Sequence, residues 1–192
     1  MRARLVEATL DCLATNGYAR LTISSIVERA GVSRGAPLHH FQSKQALIEA
    51  AADHLFRRVS RKVSSAYEDA VGAEDPVSAF LTRLWRDIFT APEGAMLAEL
   101  NHASRHEPDL QSIMSSLWTR IYRIASRVSA RYVRTRQGTV PPERIALLTQ
   151  WLMRGMAQDF HLGAPDALFE RYLEHWRALL DSALPRQAAR KT

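Results

Sequence analysis

Apolar positions recur along this chain with a helical period almost throughout, and no segment alternates with period 2 for long. From Arg2 to Asn16, Leu5, Ala8, Thr9, Cys12 and Leu13 form one stripe, and Gly17 is placed to end the helix in a left-handed conformation. Thr22 is a natural N-cap for Ile23, Ile26, Val27 and Ala30, spaced i, i+3, i+4, i+7 and closed by Gly31. Ser33 is then expected to cap a third helix with Pro37, Leu38 and Phe41 on its apolar side. That start puts Pro37 at the fourth helical position, where its ring and missing N–H predict a distorted first turn. Ser43 opens a much longer helix, expected to reach about Ala70. Beyond it, Pro and Gly breaks at Asp75-Pro76, Pro92–Gly94, Glu107-Pro108, Gly138–Pro142 and Gly163–Pro165 precede further amphipathic runs. These are Val77–Thr90, Ala95–Ser104, Asp109–Arg134, Glu143–Leu162 and Asp166–Leu184. The expected fold is all-α with about nine helices: three short ones over residues 1–45 and a bundle over residues 46–192.

The two short helices on either side of Gly31 and Ser33 are the informative feature. A single helix of that length would bury more surface, so the break implies a use. Two short helices joined by a tight Gly-containing turn form a helix-turn-helix, in which the first braces on the phosphate backbone and the second enters the major groove. Ser24, Ser25, Arg34, Gly35, Ala36, His39, His40 and Lys44 are then left facing outward as small, polar or basic residues. Charge agrees. Residues 1–62 hold ten basic residues (Arg2, Arg4, Arg20, Arg29, Arg34, Lys44, Arg57, Arg58, Arg61, Lys62) against five acidic ones (Glu7, Asp11, Glu28, Glu49, Asp53). This stretch therefore carries +5 of the net +6 of the 192-residue chain. A concentrated positive field suits a polyanionic partner.

The segment "LVEATLDCLATNGYARLTISSIVERAGVSRGAPLHHFQSKQALIEA", Leu5 to Ala50, resembles the TetR family of bacterial regulators. The resemblance rests on Gly17-Tyr18 after the first helix, Ala30-Gly31-Val32-Ser33 at the turn, His39-His40-Phe41, and Ser43-Lys44. Two positions depart from the family pattern: Leu38 stands where Tyr is usual, and Pro37 where Leu is common. The resemblance implies that Arg34 reads a base edge, since a guanidinium pairs bidentately with guanine. It places Ala36 and Leu38 near thymine methyls and His39 at a base or a phosphate. Thr22, Ser24, His40 and Lys44 become backbone contacts, with Ser33 and Gly35 on the same surface.

The remaining three-quarters carries no G-x-S-x-G, phosphate loop or paired cysteine motif, so no enzyme and no cofactor is expected. Glu99, His102 and His106 share a helix face in an E-x-x-H-x-x-x-H pattern, but no second E-x-x-H exists to complete a di-metal bundle. A helical metal protein or enzyme built on these three remains an alternative, as do a DNA regulator without an effector and, more weakly, a basic protein lying on a membrane surface. Large aromatic and Met side chains are concentrated here, enough to enclose an apolar cavity. Trp85, Phe89, Met96, Glu99, His102, Trp118, Tyr122, Trp151 and Met156 are the candidate lining for a small apolar or aromatic effector, which the family resemblance also implies. Asn101, Arg120, Arg123 and Gln158 are further polar anchors. The last two helices are apolar on more than one side, and Leu148, Leu152, Leu168, Tyr172, Trp176 and Leu179 are expected to meet a second copy about a two-fold axis. Such a homodimer would set two recognition helices about one DNA turn apart on a palindromic double-stranded operator. With no membrane span, no signal peptide and the single Cys12, a cytoplasmic location is expected.

Overall fold

A computed structural model describes residues 1–33, 35–132 and 140–183, apart from the side chains of residues 36, 38, 125, 128–132, 182 and 183. Among the described residues there are nine α-helices and no strand: α1 Arg2–Asn16, α2 Ile23–Ala30, α3 Ala36–His40, α4 Lys44–Ala70, α5 Pro76–Leu84, α6 Pro92–Ala103, α7 Pro108–Tyr132, α8 Pro142–His161 and α9 Asp166–Ala183. A π-helical turn, Trp85–Phe89, follows α5 directly. The expected helix ends at Arg134 and Leu184 and the break at Gly138 lie outside the described residues.

Helix starts follow local chemistry. Thr22 and Ser25 form a reciprocal capping box at the head of α2, with the Ser25 N–H 3.0 Å from the Thr22 hydroxyl. Ser43 accepts the Ala46 N–H at 3.0 Å to open α4, and Asp75 accepts the Ser78 N–H at 3.0 Å to open α5. Helices α5 to α8 each carry Pro in the first turn, where no N–H donor is needed.

Three expectations need correction. Gly17 does take a positive φ of 71°, but its ψ of 173° is extended rather than left-handed helical. Its N–H still closes α1 on Leu13 O at 3.1 Å. Ser33 does not cap α3: the helix starts at Ala36, with Gly35 as its N-cap and no side-chain cap bond. The late start puts Pro37 in the first turn, so it breaks no intrahelical bond, and α3 is only five residues long. Third, the run Val77–Thr90 is not one α-helix. Its last turn is π-helical, and the Thr90 N–H reaches back five residues to Trp85 O at 2.9 Å. The wider turn leaves Trp85 and Ile88 buried with Leu81 and Leu84.

The interior has two hydrophobic clusters. In the first, Leu5, Leu10 and Leu13 of α1 pack with Ile26, Phe41, the first half of α4 (Leu47, Leu55), Leu100 of α6 and Leu110, Met114 and Leu117 of α7. The second joins Ala66 of α4 and Leu81, Leu84, Trp85 and Ile88 to Ile145 and Met153 of α8 and Phe169, Leu173 and Leu180 of α9. Helix α4 runs through both, and Val59 touches each. Because α1 shares its core with α6 and α7, the amino-terminal helices are seated on the larger bundle by buried surface as well as by the chain itself.

Candidate nucleic-acid interface

Helix α2 stops at Gly31, whose φ of 61° and ψ of 44° are left-handed helical, and the Val32 N–H turns back to Val27 O at 3.2 Å. Arg4 of α1 donates to Ala30 O at 2.6 Å, so its guanidinium sits on the negative end of α2 and fixes the turn. Gly35 then opens α3. His39 and His40 at its end are exposed, as are Ser33 and Gly35. Arg34 lies outside the described residues, and so do the side chains of Ala36 and Leu38. Phe41, directly after α3, is buried under the Arg2 guanidinium, 5.1 Å from its ring centre.

The candidate phosphate contacts are held from two sides. Thr22 and Ser24 are exposed at the head of α2, although the Thr22 hydroxyl is already engaged in the capping box. Lys44 is exposed at the head of α4, its ammonium 5.5 Å from the Tyr18 ring. Tyr18 connects these two places, because its carbonyl accepts the Leu21 N–H at 3.0 Å just before Thr22. Its phenol is made less acidic by burial first, then by the charges of Glu107 and Asp109.

Carboxylates tie this surface to the bundle. Glu99 of α6 accepts the Tyr18 N–H at 2.8 Å, and a Cβ placed on Gly17 would lie 2.8 Å from the same Glu99 oxygen. Glycine at 17 therefore meets two demands at once, a positive φ and the close approach of Glu99. Glu7 of α1 faces His54 at 2.8 Å and Arg58 at 3.4 Å on α4. Glu93, buried in the first turn of α6, is 2.8 Å from Lys62 Nζ and 3.2 Å from Arg58 Nε. The Arg58 Nε–H is not aimed for a hydrogen bond, so that contact is a charge pairing only. Burial opposes ionisation of Glu93, but the Lys62 hydrogen bond, a backbone N–H and the two cations outweigh it and hold the carboxyl below its usual range.

The nine candidate effector residues divide between the two cores and the surface. Trp85 is buried against Phe160 and Phe169, at ring separations of 5.9 Å and 5.2 Å. Met96 is buried in the first cluster, while Met156 and half-buried Phe89 pack on the second. Trp118 is half-buried, whereas His102, Tyr122 and Trp151 are exposed. Glu99 is spent on Tyr18. An open groove of about 440 Å³ between α4 and the π-helical turn is lined instead by Lys62, Ser65, Arg83, Arg86, Asp87 and Ala91. The metal alternative loses its carboxylate in the same way. His102 and His106 have ring centres 6.2 Å apart, and among the described residues no group of three His, Cys, Asp or Glu could hold a metal ion.

On the last two helices, Leu148, Leu168, Tyr172 and Leu179 are exposed, and Leu152 is half-buried. Trp176 differs, donating its indole N–H to Thr149 at 3.0 Å and so joining α9 to α8. No helix among the described residues is long and apolar enough to cross a membrane.

A family model described as "Bacterial regulatory proteins, tetR family" matches residues 5–51, which are α1, α2, α3 and the start of α4. Over these residues the chain is similar to TetR-family regulators. An uncharacterized HTH-type transcriptional regulator of Mycobacterium tuberculosis is 32% identical over 115 residues, which cover 60% of this chain and 58% of that relative's length. The HTH-type transcriptional regulator BetI of Burkholderia thailandensis is 28% identical over 147 residues, covering 74% of this chain and 71% of BetI. A transcriptional regulator of Rhodococcus sp. Rha1, known from its crystal structure, superposes with a TM-score of 0.71 at 26% identity, covering 95% of this chain and 97% of that one. The fold shared with that regulator thus extends through α9, while the family match ends in α4.

Three residues of this protein escaped sequence reasoning in their present roles: Tyr18, Glu99 as its partner, and Arg4 on the end of α2. Arg4 alone had a readable signal, a basic residue one helical turn from the stripe residue Ala8.

Proposed function

We propose that this chain is a homodimeric transcriptional repressor that binds a palindromic DNA operator and is released from it by a small apolar or aromatic effector. One observation carries the DNA-binding part: a braced helix-turn-helix whose outer residues Ser24, Ser33, His39, His40 and Lys44 are all exposed, on the most basic third of the chain. In this reading α2 rests on the backbone, α3 enters the major groove with Arg34, Ala36, Leu38 and His39 toward base edges, and Thr22, Ser24, His40 and Lys44 hold phosphates. Residues 1–45 act as the reading head and residues 46–192 as the effector and dimerisation part. A cytoplasmic location follows from that role.

The exposed apolar residues Leu148 and Trp151 on α8, with half-buried Leu152, and Leu168, Tyr172 and Leu179 on α9 support the dimer, since exposed apolar surface of this extent marks a covered face. Gly155 follows them on α8, and a Cβ there would meet nothing within 4 Å, so a second helix can approach closely. Trp151, first counted with the effector residues, belongs to this face by its exposure. For the effector response, α6 is the natural relay. It is held to α4 through Glu93 and to the α1–α2 loop through Glu99, so a shift of α6 moves the reading head. Effector and operator then weaken each other reciprocally.

Selection of bound fragments from random DNA by the full-length protein, followed by footprinting, tests this reading. It expects an inverted repeat protected on one face of the duplex. Binding without sequence preference would defeat it.

A further inference from the structure

Arginines are a sensitive report of missing anions, because a guanidinium carries five donors, accepts nothing and does not lose its charge. Four arginines are half-buried among the described residues: Arg58, Arg120, Arg154 and Arg177. Three of them hold carboxylates. Arg58 pairs with Glu7 and Glu93, Arg120 with Asp53, and Arg177 with Asp75 and Asp181. Arg154 of α8 makes no hydrogen bond or ion pair with any described residue. Its guanidinium lies over the Trp118 ring of α7, 4.6 Å from the ring centre. Burial holds it below the ordinary arginine basicity, a loss partly offset by the nearby Tyr122 oxygen.

The surroundings specify more than charge. Trp118 and Tyr122 are one helical turn apart on α7, on the side that faces Arg154. Tyr122 is 40% exposed, so flat aromatic surface stands uncovered beside the cation. The guanidinium sits over the Trp118 ring, and none of its donors is taken by a described residue. A guanidinium with free donors takes a carboxylate through two parallel hydrogen bonds. We propose that Arg154, Trp118 and Tyr122 form the anchoring end of a ligand site that takes a small aromatic carboxylate. The acid end seats on Arg154 and the ring lies along the exposed aromatic surface. This deepens the effector reading above and rests on it. Trp118 and Tyr122 were candidate effector residues from the sequence, and Arg154 adds the sign of the ligand's charge.

The test uses full-length protein with three probes, benzoate, 1-naphthoate and biphenyl-4-carboxylate, and the neutral naphthalene-1-methanol as a control. Binding is read by calorimetry and tryptophan fluorescence on wild type, R154Q and R154K. Saturable binding of at least one carboxylate is expected, weakened about tenfold or more in R154Q, the usual scale for a lost charged hydrogen bond. R154K should recover part of it, and the alcohol should bind weakly and equally to wild type and R154Q. Unchanged operator affinity without probe, for both variants, serves as the folding control. The proposal is overturned by three results: no saturable carboxylate binding up to the solubility limit, equal affinity of R154Q and wild type, or R154Q dissociating the dimer while no probe binds. The last would make a carboxylate of the second copy the missing partner. Operator release is scored separately. Arg154-dependent binding without release keeps the site and removes the effector role, whereas release by neutral ligands independent of Arg154 does the reverse.

Discussion

Removing the Glu99 carboxylate tests the link between α6 and the reading head. Glu99→Ala deletes the acceptor 2.8 Å from the Tyr18 N–H. A hydrogen bond to a charged group contributes about 1.5–3 kcal/mol. This one is part-buried, and water can replace the lost acceptor, so about 1–2 kcal/mol is expected. For a chain of this length that lowers the melting temperature by roughly 3–6 °C. Glu99→Gln keeps an oxygen acceptor without charge and should cost about half as much. Gly17→Ala sharpens the test. Alone it combines positive-φ strain with the clash against Glu99, whereas in the Glu99→Ala background only the strain of about 1 kcal/mol remains. The double-mutant cycle should therefore show a coupling of about 1 kcal/mol between positions 17 and 99. Urea denaturation followed by far-UV circular dichroism measures all four proteins. A Glu99→Ala protein as stable as wild type, or strictly additive effects, would refute the latch.

The other predictions concern separate parts of the fold. Thr22→Ala removes the capping box of α2 and should cost about 1 kcal/mol in the same denaturation assay. Gly94→Ala should fail to accumulate as soluble protein, because its Cβ would fall on the Phe89 carbonyl and 2.6 Å from Ile88 O, both backbone. Leu148→Glu with Tyr172→Glu places charge among the exposed apolar residues of α8 and α9, so sedimentation equilibrium should find a folded monomer. Glu93 and Asp53 both have carboxyls held below their ordinary values, for Asp53 because Arg120 and Arg57 outweigh its burial. Their stabilisation is fully present above the ordinary carboxylate range and is lost as pH falls through the depressed values. Stability should thus be level between about pH 7 and 5 and fall below about pH 4, less steeply in Glu93→Gln.

Local chemistry was legible where it acts over one helical turn. The Thr22 and Ser43 caps, the Gly31 stop and the Pro-led starts each depend on neighbours within four residues. Ser33 was misjudged because serine is a common cap, yet Pro37 decides the start by excluding any register that places it past the first turn. The π-helical turn left no trace, since Leu81, Leu84, Trp85 and Ile88 keep the spacing of an ordinary helix face. Glu99 meets Tyr18 across 81 residues, and a pattern on one helix cannot show what stands opposite it. For the same reason Glu99, His102 and His106 could be placed on one face without revealing that the carboxylate belongs to another element. Aromatic content showed that a large apolar interior exists, but whether Trp85 is core or Tyr122 surface depends on the rotation of each helix. Arg154 was invisible for a subtler reason: its lack of a carboxylate is set by where every other acid on the bundle goes.

Operator selection with wild type, Arg34→Ala and Lys44→Ala tests the central claim most directly. The wild-type protein should enrich an inverted repeat with half-sites centred about one helical turn apart. Arg34→Ala should relax preference at one base pair per half-site. Lys44→Ala should weaken all sequences by a similar factor and lower the salt dependence by about one phosphate contact. Enrichment of no sequence by the folded wild-type protein, or an Arg34→Ala variant with undiminished selectivity, would contradict it.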